Sequence, residues 1–261
     1  MIEGFTDDVL TKLTPGELDF LYYTELHLSQ IAKSTLDEAA ESALSSPAVI
    51  ERACKKLGLS GYSDLRYRIA RELRGDQSQS VATDATVPFD PKSGIDQLEK
   101  EAARTTLSLS AEAMLQAGRY LVQANRVFSF GRGLSEFPSK YLSEYLERIG
   151  RPCRHYLDPP FAYRDAAQFT SKDAAVIFSS GGRTIPVVKA AIIAKKNDVP
   201  LIAVCSNVES PLAKLATLTF YAASSKLRMD SIDLNSRYTQ FMVADLMVDA
   251  VIAARSESDS V

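Results

Sequence analysis

Past residue 124, short apolar runs alternate with longer amphipathic stretches, and this alternation sets the expected architecture. Runs at 126–130, 153–157, 174–179, 201–205 and 218–222 read as strands, with helices between several of them and a final helix over 235–255. Short strands apolar on both faces predict a parallel sheet covered by helices on either side. Before residue 75 the pattern is helical. Thr14-Pro15-Gly16-Glu17 opens the first clear helix, with Thr14 as cap, Pro15 in the first turn and Glu17 completing a capping box. Leu18, Leu21, Tyr22 and Leu26 are its expected buried stripe. A second helix is predicted over 36–43. A third starts at Ser46-Pro47 and stops at Gly58. It places Val49, Ile50, Ala53, Cys54 and Leu57 inside and Ala48, Glu51, Arg52, Lys55 and Lys56 outside. Ser63 is expected to cap a fourth helix over 64–73. From 75 to 94 the chain is polar, holds two prolines and loses periodicity, which predicts a linker; helical patterns resume at 95–123. The expectation is a multidomain chain: an all-α unit at 1–74, a linker at 75–94, and an α/β unit at 95–261 built on a five-stranded parallel sheet flanked by helices.

Composition supports two packed domains. The chain has 261 residues, of which 46% are hydrophobic and 24% charged, enough apolar material for a core in each half. No stretch approaches the ~20 apolar residues of a membrane helix, and the first ten residues are acidic, unlike a signal peptide. A cytoplasmic protein without a membrane partner is expected. Cys54, Cys153 and Cys205 are scattered and odd in number, so they read as reduced core residues, not as a disulfide framework or a metal site. The net charge of −3 conceals a polarity along the chain. Residues 1–45 carry two basic side chains against nine acidic ones, whereas residues 46–74 carry seven against three. A basic stretch behind an acidic one is a footprint suited to a phosphate backbone.

The second and third helices, joined by the short Leu44-Ser45 connection and basic on the outer face of the latter, fit a helix-turn-helix. Three blocks then stand in a specific order: Thr35-Leu36-Asp37-Glu38-Ala39-Ala40-Glu41-Ser42-Ala43, Ser46-Pro47-Ala48-Val49, and Cys54-Lys55-Lys56-Leu57-Gly58-Leu59-Ser60-Gly61-Tyr62-Ser63-Asp64-Leu65. In residue type and spacing this resembles the N-terminal domain of RpiR-type transcriptional regulators. The resemblance implies that the helix from Ser46 lies in the major groove of a double-stranded DNA operator. Ser46, Ala48, Arg52 and Lys55 share a surface at helical spacing and are expected to reach bases or phosphates, with Lys56, Tyr62 and Ser63 on the backbone. Leu44 departs from the family, which usually has a turn glycine there, and Glu51 puts a carboxylate on the same exposed face.

Two polar turns mark the second half. Gly131-Arg132-Gly133-Leu134-Ser135 follows one predicted strand, and Ser179-Ser180-Gly181-Gly182-Arg183-Thr184 closes another and opens a helix. Such turns aim amides, hydroxyls and a helix dipole at a bound anion. From about residue 124 the chain resembles the sugar isomerase (SIS) domain. The carrying residues are Ala124-Asn125-Arg126-Val127, Gly131-x-Gly133-x-Ser135, Arg148-Ile149-Gly150, Ser179-x-x-Gly182-x-Thr184 and Ser210-Pro211-Leu212-Ala213. The resemblance implies a SIS fold. It makes Ser179, Ser180 and Thr184 phosphate donors and Ser135 a contact to sugar or phosphate, with Gly133, Gly181 and Gly182 lending backbone. Gly181 stands where the family usually has serine. Arg132 and Arg183 are candidates for a charge-assisted grip, and Asp158 for a sugar hydroxyl. Glu136 occupies the third glycine position of a dinucleotide fingerprint, so no nucleotide cofactor is expected.

Three functions fit these halves. One is a sugar-phosphate-responsive DNA-binding regulator, acting as a homodimer or homotetramer on an inverted-repeat operator. The second is a SIS-fold phosphosugar isomerase or lyase, which requires a base beside the pocket. Neither His27 nor His155 flanks a ligand turn in sequence, and an inward-pointing glutamate such as Glu144 is the remaining source. The third is a carbohydrate-binding scaffold without DNA, against which the basic helix argues. The regulator accounts for both halves, with no catalytic residue expected.

Overall fold

Threonine caps start two of the N-terminal helices of the computed structural model, which describes residues 7–75, 90–225, 228–229 and 232–258. The chain divides into two compact units, Met1–Val87 and Pro88–Val261. In the first, Thr14 Oγ1 accepts from the Glu17 amide while Glu17 Oε2 takes the Thr14 amide at 2.7 Å, fixing the start of the helix Pro15–Leu26. Thr35 and Glu38 repeat the box ahead of Leu36–Ser42. The helices are α1 (Asp7–Leu10), α2 (Pro15–Leu26), α3 (Leu28–Ile31), α4 (Leu36–Ser42), α5 (Pro47–Lys56) and α6 (Tyr62–Gly75). Leu18, Phe20, Leu21, Ile31, Ile50, Ala53, Cys54, Leu65 and Ile69 are buried between them. The expected stripe on α2 is displaced at its end: Leu26 is exposed and Tyr22 half-buried, because the chain breaks at His27 and Phe20 and Thr24 turn inward instead.

The turn between α4 and α5 is a helix stop with both of its reversed hydrogen bonds: Ser45 N donates to Ala40 O at 2.8 Å, and Leu44 N to Glu41 O at 3.1 Å. That geometry requires a left-handed residue, and Leu44 adopts it at φ 48° with its side chain in solvent. Gly58, at φ 77°, ends α5 in the same way. The fourth predicted helix begins earlier than expected. Tyr62 is its first residue, so Ser63 lies in the first turn and is not the cap. The preceding loop is held by Asp64, which accepts from Ser60 N at 3.1 Å, and by Glu51, which accepts from Tyr62 N at 3.2 Å.

The second unit starts with Asp90, whose carboxylate accepts from the amides of Lys92 and Ser93 and so begins α7 (Pro91–Ser108). The predicted linker therefore ends sooner: residues 91–94 form a helical first turn, because Asp90-Pro91 is a cap followed by an N1 proline. Gly75 at its other end closes α6, and residues 76–89 lie outside the described residues. Then follow α8 (Ala111–Gln123), β1 (Val127–Gly131), a 3-10 turn (Gly133–Ser135), α9 (Glu136–Arg148), β2 (Cys153–Tyr156), α10 (Pro159–Ala166) and β3 (Ala174–Phe178). The chain continues through α11 (Ile185–Lys196), β4 (Leu201–Cys205), α12 (Pro211–Leu215), β5 (Leu218–Tyr221), β6 (Arg228–Met229), β7 (Ile232–Asp233) and α13 (Tyr238–Ser258). The five main strands form one parallel sheet ordered β2-β1-β3-β4-β5, with Val127 of β1 opposite both Cys153 and Ala174.

Alternate residues of each strand enter opposite cores. Val127, Val176, Phe178, Ile202 and Val204 pack with Leu121 of α8, Leu142 and Leu146 of α9, and Val243, Met247 and Val251 of α13. Phe128, Phe130, Ile177, Leu201 and Ala203 pack with Ala162 of α10, Val187, Ala191 and Ala194 of α11, and Leu212 of α12. The three cysteines are free and buried, and burial pushes the Cys153 thiol up to about 12. Two features were not anticipated. The antiparallel pair β6–β7 precedes α13, and α13 begins at Tyr238, leaving Asn235–Arg237 outside the helix.

Candidate functional site

The outer face of α5 carries the first candidate surface. Ser46 caps the helix, its Oγ accepting from Val49 N at 3.3 Å, and Ala48, Arg52 and Lys55 are exposed beside it. Lys56 is committed elsewhere. Its Nζ lies 2.7 Å from Oε2 of Glu17, whose side chain is 1% exposed, and also donates to the Lys12 carbonyl at 3.1 Å. Burial works to raise the Glu17 pKa, but the Lys56 hydrogen bond and the Thr14 amide outweigh it and hold the carboxyl below its ordinary value. Arg52 stands 3.8 Å from the other carboxylate oxygen while remaining largely in solvent.

Tyr62 corrects the sequence expectation. Its ring is buried, and its hydroxyl lies 2.7 Å from Ser34 Oγ and 3.3 Å from the carbonyl oxygens of Ile31 and Ser34. It therefore ties α6 to α3 and its side chain is not presented to a ligand. Ser63 is exposed. Glu51 is drawn back to cap the chain at Tyr62 and does not project from the α5 surface as a free carboxylate.

In the second unit the polar turns leave the carboxyl ends of β1 and β3, which are neighbours in the sheet. Parallel α/β sheets bind their ligands at such ends. Ser135, Ser179 and Ser180 are all buried. Ser179 Oγ accepts from Gly182 N at 3.2 Å, closing the turn on itself. The Ser180 carbonyl accepts from both the amide and the hydroxyl of Ser206 at 2.8 Å, which fixes the turn to the end of β4. Gly182 has φ 65°, and a Cβ there would stand 2.1 Å from Ser210 Oγ, so glycine alone fits. Gly181 is the opposite case: nothing lies within 4 Å of an added Cβ, and the serine usual in the resembling family would have room. Gly133 has φ 57° and is likewise open. Thr184 precedes α11 with its carbonyl accepting from Val188 N, is exposed, and makes no side-chain cap bond.

The structure joins the two turns through a segment that the sequence reading assigned to helix. Arg237 Nε donates to Ser135 Oγ at 3.0 Å, and Asn235 Nδ2 donates to Ser180 Oγ at 3.4 Å. Arg237 also pairs with Asp233 at 2.7 Å and donates to the Asn235 carbonyl. The polar residues Asp233, Asn235, Ser236 and Arg237, just ahead of an apolar helix, were the available signal. Arg132 is anchored, donating to the Leu157 carbonyl at 2.7 Å, and Arg183 is half-buried. Asp158 is exposed at the start of α10. Glu144 does not point inward: its side chain is in solvent, 3.7 Å from Lys140. His155 is half-buried on edge strand β2, opposite Ser129, and burial lowers its pKa. His27 stacks on Tyr23 with ring centroids 4.3 Å apart.

The sequence model of the helix-turn-helix domain of the rpiR family matches residues 7–76, and that of the SIS domain matches residues 120–250. The chain belongs to the RpiR family. It is a helix-turn-helix transcriptional regulator with a SIS domain, and several of its relatives are named HTH-type transcriptional regulators. Over 255 residues it is 26% identical to the HTH-type transcriptional regulator YbbH of Bacillus subtilis, covering 95% of this chain and 89% of that one. Over 232 residues it is 25% identical to the HTH-type transcriptional regulator RpiR of Escherichia coli, covering 87% of this chain and 77% of that one. Among solved structures, Vibrio vulnificus NanR complexed with ManNAc-6P superposes with a TM-score of 0.55 at 22% identity, covering 95% of this chain and 90% of that one. The sugar isomerase domain of an RpiR transcription factor from Sphaerobacter thermophilus gives 0.56 at 19% identity, covering 66% of this chain and 98% of that one. These two likenesses show the shared fold.

Proposed function

We propose that this RpiR-family regulator binds a sugar phosphate between the turns after β1 and β3 and thereby alters its hold on a DNA operator read by α5. The observation that supports the pocket is the pair of bonds from Arg237 and Asn235 to Ser135 and Ser180, by which one short segment meets a hydroxyl of each turn. Ser179, Ser180, Thr184 and the backbone of Gly181 and Gly182 hold the phosphate, assisted by the N-terminus of α11. Ser135 and the backbone of Gly133 meet the rest of the ligand. NanR, in its solved complex, holds ManNAc-6P, a ligand of this chemical class.

On DNA, Ser46, Ala48, Arg52 and Lys55 form the reading face, with Ser63 beside the phosphate backbone. Lys56 supports that face from its ion pair with Glu17. Two readers on an inverted repeat call for a two-fold homodimer, or a tetramer built from such dimers. The site is a holding site: hydroxyls, amides and arginines suit a dianion, and catalysis would need a base placed at the sugar carbons. No helix among the described residues is long and apolar enough to cross a membrane. A regulator acting on operator DNA works in the cytoplasm.

The deciding experiment measures operator affinity of the full chain at fixed salt with and without a panel of sugar phosphates, together with light scattering for the assembly. At least one sugar phosphate should change operator affinity without being consumed. The Ser179→Ala, Thr184→Ala double variant should lose that response while still binding DNA. A response that survives the double variant places the effector elsewhere, and turnover of the ligand defeats the sensor reading.

A further inference from the structure

Arg237 is a buried cation, its side chain 8% exposed, at the centre of the proposed pocket. A guanidinium so far from water requires an anionic partner, and Asp233 supplies it. Asp233 itself is 43% exposed and lies 2.7 Å from Nη2 of Arg237. Its second oxygen accepts from Asn235 N at 2.9 Å, so the carboxylate, at the end of β7, caps the start of the short link into α13. Nε of the same guanidinium donates to Ser135 Oγ. A serine that accepts such a bond keeps its own hydrogen to donate. The planar guanidinium suits a pair of anionic oxygens, and a carboxylate from the protein now occupies part of that fork.

We propose that Arg237 is the anion-recognising residue of the effector pocket, and that Asp233 is its internal counter-anion, displaced when the anionic oxygens of a sugar phosphate arrive. The inference rests on the effector reading above. It adds an exchange: the link 233–237 is tied to Ser135 through Asp233 and Arg237, and the ligand takes over the cation that anchors it. The anionic oxygens come from the phosphate itself or from a carboxylate on an acidic sugar phosphate, and both meet the guanidinium in the same way.

The test is calorimetric titration of the full chain with inorganic phosphate, glucose 6-phosphate and 6-phosphogluconate. Asp233→Asn keeps an oxygen for the Asn235 amide but removes the competing charge. It should tighten binding about two- to fivefold, the scale of a partly exposed ion pair. Arg237→Gln should weaken binding about tenfold or more, the scale of a lost charge-assisted bond. If the phosphate is the group recognised, all three ligands shift; if a carboxylate is, only 6-phosphogluconate does. Affinities within twofold of the parent for every ligand in both variants, with binding still lost in the Ser179→Ala, Thr184→Ala variant, overturn this inference and leave the pocket standing. Undiminished binding by that double variant, or no binding of any of the three ligands by the parent, overturns the pocket and the inference together. Should Arg237→Gln fail to fold, Asp233→Asn decides alone, since unchanged or weaker binding contradicts displacement.

Discussion

Replacing Lys56 with methionine should damage the stability of the first unit before it damages DNA recognition. The ammonium lies 2.7 Å from Glu17 Oε2, and the carboxylate is 1% exposed, so removing the ammonium leaves a buried charge whose other ion pair among the described residues is with Arg52, at 3.8 Å. At an effective dielectric of ~20, Coulomb's law gives an attraction of roughly 6 kcal/mol at the 2.7 Å separation of Lys56 and Glu17. Desolvation of both groups offsets most of it, and Lys56 is 36% exposed, so solvent screening lowers the expected loss to about 1.5–3 kcal/mol. Hydrogen exchange reads this unit separately from the second one. Amides of α2 and α5 should exchange roughly 10- to 150-fold faster in Lys56→Met. In a Glu17→Gln background, where no buried charge remains, the same change should cost about 0.5 kcal/mol or less. Exchange within twofold of the parent, together with a loss of operator affinity as large as that of Arg52→Ala, would refute the argument and return Lys56 to the DNA surface.

Four further outcomes are expected. Leu44→Gly should stabilise the first unit by about 0.5–1 kcal/mol, since φ 48° costs a side chain roughly 1–2 kcal/mol, glycine's extra chain entropy returns part of that, and the leucine is in solvent; a lower thermal midpoint would contradict it. Gly182→Ala should abolish the effector response, because its methyl would meet Ser210 Oγ at 2.1 Å, whereas Gly181→Ser has room and should bind inorganic phosphate about two- to tenfold tighter by adding a donor. In acid, the Glu17 carboxyl has a folded pKa below its ordinary 4.5, so it contributes stability above that value and loses it as the pH falls through the lower folded pKa. Amide exchange in α2 should therefore accelerate below about pH 4.5 in the parent, and less so in Glu17→Gln; identical acid profiles would remove Glu17 from the account.

The sheet was legible because its strands are short, apolar on both faces and bounded by polar turns. The run at 201–205 coincides with β4, and the other four differ from their strands by a residue or two at the ends. The caps were legible for the same local reason: Thr14-Pro15 and Ser46-Pro47 need only their own next few residues to act. What escaped was whatever depends on a second element. Helical spacing alone puts Lys56 on the outside of α5, and it is outside, yet Glu17 of α2 reaches across to hold it. Tyr62 follows a serine and a glycine and reads as a loop aromatic, but the four-residue α3 packs on α6 and closes over the ring. A helix of one turn leaves almost no periodicity to detect, so its effect on a residue thirty positions away could not be foreseen.

The candidate pocket repeats this division. Ser135, Ser179 and Gly182 announce themselves because a strand, a small polar turn and a helix must follow one another for a turn to form at all. Arg237 gives no such sign. It stands next to Tyr238 at the entrance to a strongly apolar helix, where a cation reads as ordinary flank, and its partner Ser135 is about a hundred residues earlier. The parallel topology makes the meeting possible: β1 and β3 are adjacent and both end at the same edge of the sheet, and the link into α13 passes their turns. The hydroxyls of the site are thus written locally, whereas its buried charge is set by the order of strands. Residues that discriminate among effectors sharing the same phosphate grip are therefore to be sought at 233–237, where substitutions alter the charge in the pocket while leaving the turns after β1 and β3 in place.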